Sequence, residues 1–427
     1  MSGQKLHVDI FDLVTSIAKI IDLMSPAVGS HHMQVAYWVF QLGNTLHFSE
    51  DEKFELVIAA ALHDIGAFTL KERLDLLEFE ETKTSEHAIA GSLILDRFKP
   101  FTSIAKLVKF HHTAWQNGKG AFLSGEAVPE GSHLIHLADR VAVRISPQKP
   151  VLGQIRGICE AIAEQKGDVF VPEHVNALLK IMNREYIWLD VTSDFLDSII
   201  ERLVRSQTRE FTMEQLVDFS QLICRLIDFK SEFTAAHSSG VAAVAVELSR
   251  LNDFSYGDRR LIEIAAYLHD VGKLAIPSEI LEKQDKLTEN EQFIMRSHVY
   301  YTYQMLAPFE VLKPLSEWAS FHQERLNGTG YPFGLNAVDL PAGSRIMAVA
   351  DVFTALTENR PYREGMDTKS AMTVLQSMVD KGELDKHLVD MVFEHWQALN
   401  EIRASAQQEA MEEYNSFLAE LNQHVNV

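Results

Sequence analysis

Five chemical landmarks occur twice along this chain of 427 residues, and that duplication constrains the fold more than any other feature of the sequence. The first set runs His31, ALHDIG with His63 and Asp64, His87, FHH with His111 and His112, and LADRVA with Asp139. The second runs His237, YLHDVG with His269 and Asp270, His298, FHQ with His322 and Gln323, and VADVFTA with Asp351. The intervals match. His31 precedes His63 by the same step as His237 precedes His269, and His87 precedes His111 by the same step as His298 precedes His322. The last step, from His111 to Asp139 and from His322 to Asp351, differs by a single position. Such matched spacing makes the two halves copies of one fold. Similar tails, VFVPEHVNALLKI from Val169 and GELDKHLVDMVFE from Gly382, place one more helix after the last Asp of each copy.

Apolar residues recur at helical spacing nearly throughout, as in FELVIAAALHDIG, LIEIAAYLHDVG and AMTVLQSMVDKG, and no convincing period-2 stretch occurs. The sequence therefore predicts an all-α protein. Glycine and proline punctuate helix ends, and LTENEQ at Leu287 carries a helix-start signature. The boundary between copies is expected near residue 200, inside SDFLDSIIERLVRSQTREFTMEQLVDFSQLICRLIDF, which reads as one or two long helices with no flexible linker. A helix rich in Ala, Glu and Gln, residues 401–427, follows the second copy and offers a surface for the body or for a homodimer.

Charge narrows the function. With 39 Lys+Arg against 60 Asp+Glu the net charge is −21, which excludes a general binder of polymeric nucleic acid. An acidic protein that takes an anionic ligand does so through metal or a few local cations. Two cysteines, Cys159 and Cys224, exclude a disulfide framework and a thiolate cluster. The chain shows no membrane span or leader segment, so a cytoplasmic location is expected.

Histidine, at 18 residues, carries the information. Adjacent His and Asp on a helix project about 100° apart, so His269 can hold one metal while the two oxygens of Asp270 bridge to a second. His237, His298, His322 and Asp351 complete a set of imidazoles and carboxylates that suits Fe, Mn or Zn better than Mg or Ca. Two such ions activate water and stabilise displacement at phosphorus. Lys273 follows three positions after Asp270, over the same face.

YLHDVGK, FHQERLNGTGYPFGL from Phe321, GSRIMAVADVFTALTENRPYR from Gly343 and FTAAHSSGVA from Phe233 together resemble the HD-GYP family of bacterial cyclic-dinucleotide phosphodiesterases, over about 200 residues. The resemblance implies two tandem HD-type domains, residues 1–200 without a GYP loop and residues 201–400 of HD-GYP type. It implies that His237, His269, Asp270, His298, His322 and Asp351 bind two divalent metals, iron or manganese, with Asp270 and Lys273 catalytic. It also implies that Lys273, Tyr331, Arg360 and Arg363 face the substrate, and that a linear 5′-phosphorylated dinucleotide is released. One HD unit followed by one HD-GYP unit is similar to the Vibrio phosphodiesterases specific for cyclic GMP-AMP, which makes that substrate the favoured one. The alternatives are cyclic di-GMP as substrate, or a receptor that binds a cyclic dinucleotide without turnover.

Three positions depart from the family pattern. Gln323 stands where HHE carries a second His and is an extra candidate ligand, Asn327 replaces the Asp of DGxGYP, and Phe233 stands where some members carry a Glu for a third metal. The first copy offers a second metal site, His31, His63, Asp64, His87, His111, His112 and Asp139, but Ala67 replaces the Lys and QNGKG replaces the GYP loop. A regulatory or dimer-forming use is favoured for it, with a second phosphohydrolase activity as the alternative.

Overall fold

The computed structural model describes residues 8–22, 30–67, 85–205, 210–230, 236–309, 312–359 and 364–425. Helices dominate these segments. A short antiparallel pairing of Phe122–Leu123 with Glu126–Ala127 interrupts them, two residues per strand and so too brief for any alternation to betray it. The connecting stretch forms two helices, Leu196–Val204 and Met213–Lys230. The chain divides into two compact units, one built on Asp9–Glu210 and one on Phe211–Ala419, with the last turns from Glu420 grouped with the former.

Five helices carry or immediately precede the landmarks in each unit. In the first they are α1 (His31–Thr45), α2 (Glu50–Ala61), α3 (Ser85–Asp96), α4 (Thr102–Lys109) and α5 (Glu130–Val143). In the second they are α6 (His237–Leu251), α7 (Tyr256–Leu268), α8 (Glu289–Leu306), α9 (Lys313–Ser320) and α10 (Ala342–Thr357). A final helix, α11, spans Trp396–Val425. The packing repeats as the spacing requires: α1 lies on α2 and α5 while α3 lies on α4, and α6 lies on α7 and α10 while α8 lies on α9.

Local chemistry sets where these helices begin and end. Ser49 and Glu52 close a capping box on α2, and Thr288 with Glu291 closes one on α8, at the start signalled by LTENEQ. The first helix of each set opens on a landmark histidine, and α1 is buried on nearly every side, which marks a helix at the centre of its unit. Trp38 on α1 meets Trp188 edge-on at 4.7 Å, and both are fully buried.

The HD pairs do not lie within regular helix as the periodicity suggests. Helix α2 stops at Ala61 and α7 at Leu268, so His63–Asp64 and His269–Asp270 occupy the tight turns that follow. The glycine shortly after each Asp explains why the helix must stop there. A Cβ on Gly66 would lie 2.2 Å from the His87 carbonyl, and one on Gly272 would lie 1.9 Å from that of His298. Backbone thus docks directly on backbone, and Thr302 pins the second of these contacts by accepting from the Gly272 N–H at 3.1 Å and donating to the His269 carbonyl at 3.0 Å. This docking brings the third histidine of each set up to the HD pair.

Candidate metal centres

The main chain sets the orientation of five of these histidines. Nδ1–H of His63, His111, His269, His298 and His322 donates to the carbonyl three residues earlier, that of Ala60, Val108, Ala266, Met295 and Ala319, at 2.6 to 2.8 Å. In the neutral ring these bonds fix one tautomer and make Nε2 the nitrogen that can ligate.

In the second unit those nitrogens converge on carboxylates. Nε2 of His269 lies 3.2 Å from Oδ2 of Asp270, and Nε2 of His298 lies 3.2 Å from Oδ1 of the same residue. The two oxygens of Asp270 therefore serve different histidines. Nε2 of His237 lies 3.1 Å from Oδ1 of Asp351. Donor atoms of His237, His269 and Asp351 fall within 4.8 Å of one another, as do those of His269, Asp270 and His322. All of these residues are buried apart from Asp351, which is half-buried.

The first unit repeats the arrangement with a fuller set of candidate ligands. Asp64 faces His63 through Oδ2 at 3.2 Å and His87 through Oδ1 at 3.2 Å, with His111 3.5 Å from Oδ1. His31 lies 3.2 Å from Oδ1 of Asp139. Nε2 of His87 comes within 3.3 Å of that of His111 and 3.1 Å of that of His112. One group joins Asp64, His87, His111 and His112, and a second joins His31, His63 and Asp64.

Both clusters fit metal ions on their own geometry. Nε2 of His63, His269, His298 and His322 and Oδ1 of Asp64 and Asp139 are buried without a hydrogen-bond partner. An Nε2 lone pair beside a carboxylate oxygen sets acceptor against acceptor, an arrangement that a shared cation relieves. Among the protonation equilibria, burial pushes His322 down to about 3 and His111 down to about 4, so both are neutral and ready to ligate near neutral pH. For His237 burial acts against the charge, but Glu358 and Asp351 outweigh it and raise the imidazole to about 10. Burial likewise opposes the charge of Asp64 and Asp270, and the surrounding His63 or His269 and Lys273 hold each carboxyl well below its ordinary range.

Of the other residues singled out in the sequence, Lys273, Gln323 and Tyr331 border the second centre. Lys273 Nζ pairs with Asp270 Oδ2 at 2.6 Å. Gln323 donates its amide N–H to Asp351 Oδ2 at 3.2 Å, so it contacts a ligand rather than presenting its oxygen to the centre. Tyr331 lies close enough to Asp270 and Asp351 for their charges to help burial raise its hydroxyl to about 12. Arg360 and Arg363 lie outside the described residues.

Three residues near the second centre were missed at the level of sequence. Glu358, buried, accepts from His237 Nδ1 at 3.0 and 3.2 Å. Glu324, also buried, accepts from the Phe333 and Leu335 N–H groups at 2.7 and 3.0 Å and so shapes the GYP loop. Arg296 stacks 4.3 Å over the Tyr331 ring. Glu358 and Glu324 do sit inside the quoted motifs, as the Glu of ENRPYR and of HQE, but an acidic residue in a loop reads as solvated until its burial is known.

Two stretches of the chain, residues 28–144 and 221–388, match models of the HD domain. Fold and site thus define a tandem HD-domain protein with a histidine and carboxylate cluster in each unit. The chain is 31% identical to the 3′3′-cGAMP-specific phosphodiesterase 1 of Vibrio cholerae, over 88% of this chain and 89% of that protein. It is 37% identical to the cyclic di-GMP phosphodiesterase response regulator RpfG of Xanthomonas campestris, over 39% of this chain and 45% of that protein. A crystal structure of a cyclic GMP-AMP-specific phosphodiesterase of Vibrio cholerae shares the fold, with a TM-score of 0.63 at 20% identity over 95% of this chain and 98% of the other. The chain belongs to the HD-GYP family of cyclic-dinucleotide phosphodiesterases, and it is a phosphoric diester hydrolase.

Proposed function

We propose that the second unit hydrolyses cyclic GMP-AMP to the linear 5′-phosphorylated dinucleotide at a centre of two divalent ions, iron or manganese. His237, His269 and Asp351 would hold one ion and His298 with His322 the other, Asp270 spanning the two. The observation that carries this reading is the division of labour between the oxygens of Asp270, which face histidines on opposite sides. When bound, such a pair of ions activates water and offsets the charge that develops on the phosphoryl oxygens.

The rest of the chemistry falls to protein groups. Lys273, tethered to Asp270 at 2.6 Å, presents a cation to the scissile phosphodiester and a proton to the departing 3′ oxygen. Tyr331, held under Arg296, borders the site and offers a ring face and a hydroxyl to the dinucleotide, with Arg360 and Arg363 assigned to its phosphates or guanine edge. In an acidic protein these few cations are the attraction for a doubly charged ligand.

Cyclic GMP-AMP is preferred to cyclic di-GMP because two relatives named for it align over 88% and 86% of the chain, whereas two named for cyclic di-GMP align over 39% and 52%. Residues 1–200 are read as a regulatory HD domain that binds metal through His31, His63, Asp64, His87, His111, His112 and Asp139, and residues 201–400 as the catalytic one. The test is a side-by-side hydrolysis assay with Mn(II) or Fe(II) on cyclic GMP-AMP, cyclic di-GMP and cyclic di-AMP, with products resolved by chromatography. Linearisation of cyclic GMP-AMP ahead of the others is expected. Preference for cyclic di-GMP would overturn the substrate, and no turnover by metal-loaded protein would favour a receptor.

A further inference from the structure

His237 is the ligand whose ring is oriented by side chains instead of the main chain, and those side chains lead out of the matched HD domain. Its Nδ1–H donates to Glu358, which leaves Nε2 to face Asp351. Glu358 accepts in turn from Gln407 Nε2 at 2.9 Å. Gln407 belongs to α11 and lies well past position 388, where the domain match ends. Its Oε1 accepts from Nη1 of Arg403, a buried guanidinium one helical turn earlier that also donates through Nε and Nη2 to Asn400 Oδ1 at 3.1 and 2.9 Å. The Gln407 side chain packs over Gly240 on α6, where a Cβ would come within 2.9 Å of it, so the same helix that begins with His237 is shaped to receive it.

From this chain of contacts we propose that Gln407, backed by Arg403, is a positioning residue for the metal centre: α11 sets the orientation of His237 through Glu358. The argument is one of matched polarity. A carboxylate at 358 accepts from both His237 and Gln407, and Gln407 can donate there only because its oxygen is occupied by Arg403. Exchanging Gln407 for Glu sets acceptor against acceptor, whereas exchanging both members restores the sequence of donors and acceptors.

The inference rests on the two-ion reading of the second unit, and the test separates the two. Mn(II) binding to the full-length chain is measured by calorimetric titration and by the electron paramagnetic resonance spectrum of bound Mn(II), with thermal melting as the control for folding. Gln407→Glu is expected to weaken one class of site by roughly 10- to 100-fold, the usual consequence of removing an outer partner of a ligating histidine, and to change the spectrum, with the melting temperature of the metal-free protein nearly unchanged. Combining it with Glu358→Gln is expected to restore affinity, because the amide at 358 then donates to the carboxylate at 407 and still accepts from His237. Gln407→Met, which keeps the bulk over Gly240 but removes the donor, serves where the charged variant folds poorly and is expected to weaken the same site. Wild-type protein that binds no Mn(II) in the second unit would sink the metal reading itself. Wild-type binding that Gln407→Glu and Gln407→Met leave unaltered, or a paired exchange that fails to rescue, would sink the positioning role alone.

Discussion

On the proposed reading Asp270 is a ligand and Lys273 a cation of the second centre, and substitution separates the two roles. Asp270→Ala removes both oxygens that join the histidines, so turnover is expected to fall to background and the second unit to lose bound metal, measured by product chromatography and metal analysis. Lys273→Met keeps the ligands and is expected to lower kcat by roughly 10²- to 10⁴-fold, the range for a positioned proton donor, with metal content unchanged. Titration of the histidines adds a stability signature in chelator. His111 and His322, held down to about 4 and about 3 by burial, take up protons on unfolding, so stability drops as pH falls below the ordinary histidine value of 6.5. His63 and His237 are raised to about 9 and about 10 by carboxylates that outweigh burial, so their contribution is full below 6.5 and is lost as pH rises through those values. The metal-free protein should melt highest near pH 6.5, and a melting profile that climbs steadily across the range from about 4 to about 10 would contradict this. The clustering of these residues was legible because histidine beside aspartate, repeated at a fixed interval, is the pattern of a candidate metal site. Glu358 and Glu324 were not, because their function lies in burial, which a loop sequence does not disclose.

Helix class was readable from periodicity, and helix ends less so. His269 and Asp270 were expected on a helix because YLHDVG continues the apolar pattern of α7, yet the helix stops at Leu268. The pattern persists past the helix because the turn is buried too, and burial alone does not distinguish a turn from a helix. The contact that forces the stop, Gly272 against the His298 carbonyl, joins positions far apart along the chain and has no local signal. Gly272→Ala places a methyl group where the carbonyl stands, so α8 must shift and carry His298 away from Asp270. The expected loss is about 1–3 kcal/mol or more of stability, read by denaturant unfolding, together with weakened metal binding. Gly66→Ala should do the same to His87 in the first unit, and a variant as stable as wild type would show that the backbone contact is dispensable.

The chain contains one architecture twice, with the fuller set of candidate ligands in the copy that lacks the Lys and the GYP loop. Asp64→Ala is therefore expected to lower the metal content of the whole chain while leaving linearisation of a cyclic dinucleotide within a few-fold of wild type. Loss of that activity would make the first unit part of the reaction. Among the described residues no helix is long and apolar enough to cross a membrane. Occupied sites should also stabilise the protein by mass action, by about 2.7 kcal/mol for one site at a hundredfold excess of ion over its dissociation constant, visible as a drop in melting temperature on chelation. The hydrogen bonds from Nδ1 to the carbonyl three positions earlier have a consequence for evolution and for design. At positions 60, 108, 266, 295 and 319, here Ala, Val, Ala, Met and Ala, the bond needs only the main-chain carbonyl and places no demand on the side chain. A histidine braced in this way brings the support of its ring with it, so the brace survives duplication or grafting whichever side chain stands three positions earlier.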